Sequence, residues 1–104
     1  VGGWEDEYAV AKKADTIVCD NWHALKHRGS PTLAQMYKKG LLKDEDVSAD
    51  LHEIVMGERP GRLSDSQFIY FNAIGLSFVD VCVAAWLFER AVACGLGTTF
   101  DFGA

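Results

Sequence analysis

"GERPGRLSDSQFIYFNAIGLSFVD", residues 57–80, holds three segments in succession. A polar loop with arginines on both sides of Pro60-Gly61 leads into the apolar run "QFIYFN", which reads as a strand. The run stops on Asn72, and Ala73-Ile74-Gly75 then opens "LSFVDVCVAAWLFERAVAC". This last stretch is long enough for a helix, apolar on most of its circumference, with Gly95 as its stop. A buried strand that ends on Asn-Ala-Ile-Gly and launches a helix marks the place where an open α/β sheet holds its ligand.

Upstream the same grammar repeats. "DTIVCD", residues 15–20, is a short β-branched run and reads as a buried strand. "WEDEYAVAKK", residues 4–13, precedes it as a short helix with acids leading and lysines trailing, the order that suits the helix dipole. "NWHALKHR" gives a helical turn or two before Gly29. Ser30-Pro31 reads as a cap followed by proline at the first helical position of "TLAQMYKK", which Gly40 closes. Asp44 is expected to cap one helix over "EDVSADLHEIVM", where Val47, Leu51, Ile54 and Val55 share a face. "TTFDF", near the end, reads as a last short strand. Strand, helices, strand, helix predicts an α/β fold: a helix-rich, parallel sheet with crossover helices. Neither strand alternates, which predicts helices on both faces.

Composition narrows the function classes. The 104 residues suit one domain, 49% hydrophobic and 24% charged, hence globular. The net charge of −5 and basic runs no longer than the pairs Lys12-Lys13 and Lys38-Lys39 argue against nucleic acid or an anionic membrane as partner. The apolar stretch of residues 73–88 carries Asp80 and is too short to span a bilayer. Cys19, Cys82 and Cys94, an odd number without a C-x-x-C, predict reduced thiols and a cytoplasmic protein. Val1-Gly2-Gly3 looks like the exit of a strand whose beginning is missing, so the chain is expected to be a fragment.

Few residues offer chemistry of their own. Cys19, His23 and His27 recur at intervals of four, as zinc ligands on one helix do, but Cys19 falls in a strand and no further cluster completes a shell; no metal is expected. Asp44-Glu45-Asp46 and Glu5-Asp6-Glu7 are first read as helix N-terminal charge. "GLGTTF" follows a helix and is a helix stop, since a phosphate-cradling loop follows a strand, and the chain contains no G-x-G-x-x-G. Asp80 is expected to be a buried carboxylate held by backbone groups or by an arginine such as Arg62, with contact to a ligand as the alternative.

Three blocks together carry a resemblance: the strand-Asp of "IVCD", "LKDEDVSADLHEIVMGERPGR", and "SDSQFIYFNAIGLSFVDVCVAAWLFERA". In order and spacing, over nearly the whole chain, the sequence resembles the C-terminal part of the NAD(P)-binding domain of the ornithine cyclodeaminase/mu-crystallin family. The resemblance implies NAD or NADP as cofactor of a longer parent, often dimeric, that moves hydride at a carbon bearing nitrogen: a cyclodeaminase, an amino-acid dehydrogenase or an imine reductase. It implies that residues 1–96 are the C-terminal half of a Rossmann-type domain and 97–104 the start of a return segment. The dinucleotide fingerprint and the substrate-binding basic residues would lie upstream. The cofactor-binding positions implied are Gly2, Gly3, Asn72, Ala73, Ile74 and Gly75. One departure stands out: Trp4 occupies the position of the family's acid, and indole cannot relay a proton at neutral pH. Either Glu5 or Asp6 substitutes, or this branch does not cyclise ornithine; oxidation of an amino acid or reduction of an imine is favoured. The 104 residues alone are expected neither to bind cofactor nor to catalyse, and to self-associate. The rival reading is a free-standing, non-catalytic α/β module that oligomerises through its apolar helix.

Overall fold

The computed structural model describes residues 3–103, the side chains of residues 3–6 excepted. Chain order is α1 (Gly3–Lys12), β1 (Thr16–Cys19), α2 (Trp22–Leu25), α3 (Thr32–Lys38), a 3₁₀ turn (Asp44–Asp46), β2 (Ala49–Asp50), α4 (Leu51–Val55), β3 (Ile69–Asn72) and α5 (Ser77–Ala93). The three strands form one parallel sheet in the order β2-β1-β3. From β1 the chain moves out to β2 and then crosses back to β3 on the other side. Loops leaving the carboxyl ends of β1 and β3 therefore border a crevice, as at a topological switch point.

The expected strands at 15–20 and 67–72 are present, but the single helix over 44–56 is not. Its residues divide into the 3₁₀ turn, the two-residue strand β2 and the short helix α4. The helical periodicity lost to sheet pairing. Val18 and Cys19 of β1 pair with Ala49 and Asp50, Ser48 N–H donates to Ile17 O (2.8 Å), and Ala49 is buried. Lys43, not Asp44, stands before the 3₁₀ turn. Pro31 is likewise the residue before α3 rather than its first helical one; its ψ of 143° is extended. Residues 98–102 form no strand, for they meet no sheet edge to pair with, and Phe100 and Phe102 are exposed.

One face of the sheet is covered. Ile17 and Cys19 pack there with Tyr8 and Ala11 of α1, Leu25 of α2 and Leu33, Ala34 and Met36 of α3, while Tyr70 and Ile74 close in at the side. Leu25, Leu33 and Met36 are fully buried, each contributing about 1.5–3 kcal/mol by area. Helices were expected on both faces. On the second face, among the described residues, α4 and the Pro60–Arg62 loop line an apolar groove of ≈250 Å³ over Thr16, Val18, Ile69 and Phe71.

α5 forms where the apolar stretch predicted it and stops as predicted. Gly95 takes φ +66°, its N–H donates to Val92 O and the Leu96 N–H reaches Ala91 O. None of its residues is buried. Asp80 is accordingly exposed rather than buried, and Arg62 donates to the carbonyls of Ser64 and Gln67 instead of pairing with it. Among the described residues no helix is long and apolar enough to cross a membrane.

Candidate functional site

Every strand of the sheet finishes on a short polar side chain: Asp20 just past β1, Asp50 ending β2 and Asn72 ending β3. Cys19 is in register with both Asp50 and Asn72, so these groups line one edge of the sheet. Each accepts backbone N–H groups from the loops around it. Asp20 Oδ2 accepts from Ile74 N (3.0 Å) and Gly75 N (2.9 Å), and its Oδ1 from Asn21 N (2.9 Å). Asp50 Oδ1 accepts from Trp22 N (2.7 Å), and Asn72 Oδ1 from Leu33 N (3.3 Å). Asn21 Oδ1 caps α2 through Ala24 N (2.8 Å).

The consequence is a rim of fixed backbone. Asp20, itself nearly buried, clamps the loop that follows β3 at the two N–H groups before α5. Such charge-assisted bonds are about twice as strong as neutral ones. Gly75 holds φ +79°, a left-handed conformation that a side chain would strain, with open space where a Cβ would stand. Asn72, Ala73 and Ile74 form one wall of a ≈580 Å³ cavity, and Arg28, Gly29, Ser30 and Pro31 the other. Volumes of this order hold small ligands.

Of the predicted site residues, the structure gathers Asn72, Ala73, Ile74 and Gly75 at this rim. Ile74 is half-buried against the core, and Ala73 is exposed. Gly3, Trp4, Glu5 and Asp6 form the first turn of α1. Gly2 lies outside the described residues. Asp20 is the residue that sequence reading missed as a site former. Its signal was only a carboxylate closing an apolar strand, and its partners lie 54 and 55 residues away.

Cys19, His23 and His27 do not converge. Cys19 is fully buried, and burial, with Asp50 and Asp20 adding to it, pushes its thiol from 9.0 up to about 12. It is a neutral packing residue at any ordinary pH. The two imidazoles stack edge to face at 5.4 Å on the surface. Among the described residues no group of three or more ligating side chains is placed to hold a metal. Asp44 is also accounted for structurally. It accepts from Lys26 Nζ (2.8 Å) and Trp22 Nε1 (2.8 Å), which together hold its carboxyl below the usual range and tie the 3₁₀ turn to α2.

With that geometry in hand, three kinds of similarity agree. The profile of the ornithine cyclodeaminase/mu-crystallin family matches residues 3–95. Delta(1)-pyrroline-2-carboxylate reductase of Bacillus cereus is 37% identical over 95 residues, which is 91% of this chain and 29% of the relative. Among solved structures, an archaeal alanine dehydrogenase dimer with bound NAD superposes with a TM-score of 0.74 at 33% identity, covering 91% of this chain and 29% of that one. Delta(1)-pyrroline-2-carboxylate reductase of Thermococcus litoralis, in complex with NADH and L-proline, gives 0.75 at 26% identity, covering 89% and 28%. The sheet is thus a partial Rossmann-like one, and the chain spans under a third of the length of these relatives.

Proposed function

The chain belongs to the ornithine cyclodeaminase/mu-crystallin family, and from that premise we propose that it is the C-terminal half of the nicotinamide-binding domain of a longer NAD(P)-dependent oxidoreductase. The enzyme would act on the carbon–nitrogen bond of an amino acid or a cyclic imine. The observation that carries this is the clamped strand exit: a carboxylate at the end of β1 fixing Ile74 and Gly75 N–H beside an open cavity. The names of the relatives, imine reductase and amino-acid dehydrogenase, support the reaction class.

The residues fit such a cofactor in part. Ala73 and Gly75 have little or no side chain, so a flat ring can approach the backbone, and Ile74 offers it an apolar edge. Gly2 and Gly3 would contribute from the preceding strand exit. The pyrophosphate has no cradle here, because the sequence lacks a G-x-G-x-x-G. When bound, the cofactor supplies a hydride to, or takes one from, the carbon that bears nitrogen. This chain's part is to hold the ring's surroundings rigid and to exclude water with Ile74. With Trp4 at the family's acid position, the proton that accompanies the hydride falls to Glu5, to Asp6 or to a group upstream.

In this reading residues 1–96 complete the domain, 97–104 begin a return segment, and the enzyme works in the cytoplasm as a dimer or higher oligomer. The bare α5 favours self-association: Phe78, Trp86, Leu87 and Phe88 are each more than half exposed.

The test is NADH consumption by the longer protein that carries this chain, with 1-pyrroline-2-carboxylate as substrate, and in the oxidative direction NAD reduction with proline or alanine. Turnover in either direction, weakened by Asp20→Ala, is expected. No turnover with NADH or NADPH on any cyclic imino acid, nor with NAD or NADP on any amino acid, would overturn the reading. The 104-residue chain alone should show no saturable quenching of its tryptophans by micromolar NADH.

A further inference from the structure

Resting on the oxidoreductase reading, we propose that Thr32 and Glu7 are positioning residues. The bond between the Thr32 hydroxyl and the Glu7 carboxylate fixes the first turn of α1, which carries Trp4, Glu5 and Asp6, at the rim of the sheet where the reaction takes place.

Among the described residues Asp20 and Thr32 are the buried polar side chains. Asp20 is taken up by the clamp on the loop after β3. The Thr32 hydroxyl donates to Glu7 Oε2 (2.5 Å), the length of a charge-assisted O–H···O bond. A valine would fill the same volume with no polar group to satisfy, so the buried hydroxyl is accounted for by its partner. Glu7 itself is exposed, and water would solvate its carboxylate without Thr32. What the bond supplies is a link between two elements, 25 residues apart in the chain.

Both ends of that link lead to the rim. α1 packs Tyr8 and Ala11 with Ile17 and Cys19 of β1 and runs on directly into that strand. It therefore lies antiparallel to β1, with its first turn toward the carboxyl end. That is the edge where Asp20, Asp50 and Asn72 stand. Thr32 opens α3 directly after Pro31, which lines the ≈580 Å³ cavity. The next N–H, of Leu33, donates to Asn72 Oδ1 (3.3 Å) on the opposite wall. The first turn of α3 thus holds the exit of β3 through Leu33 and the start of α1 through Thr32. Without the Thr32 bond, Tyr8 and Ala11 still seat α1 in the core, but its first turn loses this tie to the cavity wall. A displacement of about 1 Å at a reacting group can cost on the order of 10²-fold in rate. A brace next to Glu5 and Asp6 accordingly acts on the rate of proton transfer more than on binding.

The experiment uses the longer protein with Thr32→Val, Thr32→Ser, Glu7→Ala and the double variant Thr32→Val/Glu7→Ala. Steady-state kinetics in H2O and D2O, on whichever cyclic imino acid or amino acid the native protein turns over, give kcat, KM and the solvent isotope effect. Expected for Thr32→Val is a kcat lower by about fivefold or more, a KM within about twofold of native, and a larger isotope effect. Thr32→Ser, which keeps the donor, should restore kcat to within about twofold, and the double variant should lose no more than either single one. An unchanged kcat in Thr32→Val overturns the proposal. So does a loss that Thr32→Ser fails to rescue, or one that follows the melting temperature with KM rising alongside. Should the native protein turn over no such substrate, the oxidoreductase reading has failed by itself. The brace is then judged by amide exchange at Glu7 and Tyr8, the start of the hydrogen-bonded ladder of α1. Faster exchange in Thr32→Val than in Thr32→Ser upholds it, and equal exchange overturns it.

Discussion

Asp20 and Cys19, adjacent in sequence, serve opposite ends. Asp20 turns its charge toward three N–H groups and fixes the site, whereas Cys19 is sealed in the core. Asp20→Ala would leave the Ile74 and Gly75 amides without an acceptor. Ile74 is half-buried and Gly75 exposed, so water can take up part of the loss, and the expected destabilisation is about 1–3 kcal/mol in all. Amide hydrogen exchange should quicken at Ile74 and Gly75 before it does in β1; equal protection in the variant would show that the clamp is decorative. Cys19 makes a pH prediction whose sign follows from its raised pKa. Well below pH 9.0 the thiol is neutral in folded and unfolded chains alike and adds no slope. Between 9.0 and about 12 only the unfolded chain ionises, so it binds fewer protons and stability falls as pH rises. The urea midpoint should drop more steeply over this window in the native chain than in Cys19→Ala. Parallel curves for the two would mean that the thiol meets solvent.

At the scale of elements, β2 is the one that sequence reading missed. "DVSADLHEIV" has helical spacing, yet Ser48, Ala49 and Asp50 are drawn out beside β1. The strand rests on few bonds, the Ser48 N–H to Ile17 O (2.8 Å) among them, while the Ser48 hydroxyl is a distant acceptor for Ile17 N (3.4 Å). Ser48→Pro, which deletes the donor, is expected to destabilise by roughly 2–3 kcal/mol. Ser48→Ala, which keeps the donor, is expected to stay within about 0.5 kcal/mol of the native chain. Denaturant titration of the pair checks it. Equal effects would show that the backbone bond does not hold β2. The same pairing fixes Asp50, whose carboxylate then reaches Trp22 N, so a two-residue strand positions the start of α2.

At the scale of the whole molecule, the chain is elongated. Its radius of gyration is 18.9 Å and its extents are 54 × 34 × 22 Å. A compact domain of this length would have a radius near ~13 Å. The excess comes from α5, which leaves β3 without returning to cover the sheet, so its apolar residues and the groove over Val18 and Phe71 both face outward. Several large side chains at about 1.5–3 kcal/mol each are a large share of a small domain's stability. Sedimentation equilibrium should therefore find a dimer or higher oligomer. Val81 and Phe88 are 68% and 70% exposed and seven residues apart, hence on one face of α5. Val81→Lys/Phe88→Lys is expected to dissociate the assembly, with the monomeric α/β body shifting by less than about 0.5 kcal/mol per substitution. A folded monomer of the native chain at high concentration would refute this.

Sequence alone determined whatever rests on local patterning. β1 and β3 were legible because their apolar runs are unbroken. α5 was legible because its length exceeds any strand and Gly95 stops it, and the Asn72–Gly75 turn because small residues and a glycine separate the apolar strand from the apolar helix. What the chain does with distant parts of itself was not legible. Asp20 became the clamp only when parallel pairing of Cys19 with Asn72 brought Ile74 and Gly75 N–H to its oxygens. "TTFDF" stayed unpaired because no edge reached it, and Asp80 stayed exposed because α5 turned away from the sheet. Periodicity fixes which face of an element is apolar, but a hydrogen bond across 54 residues exists only once the whole sheet has set the distance.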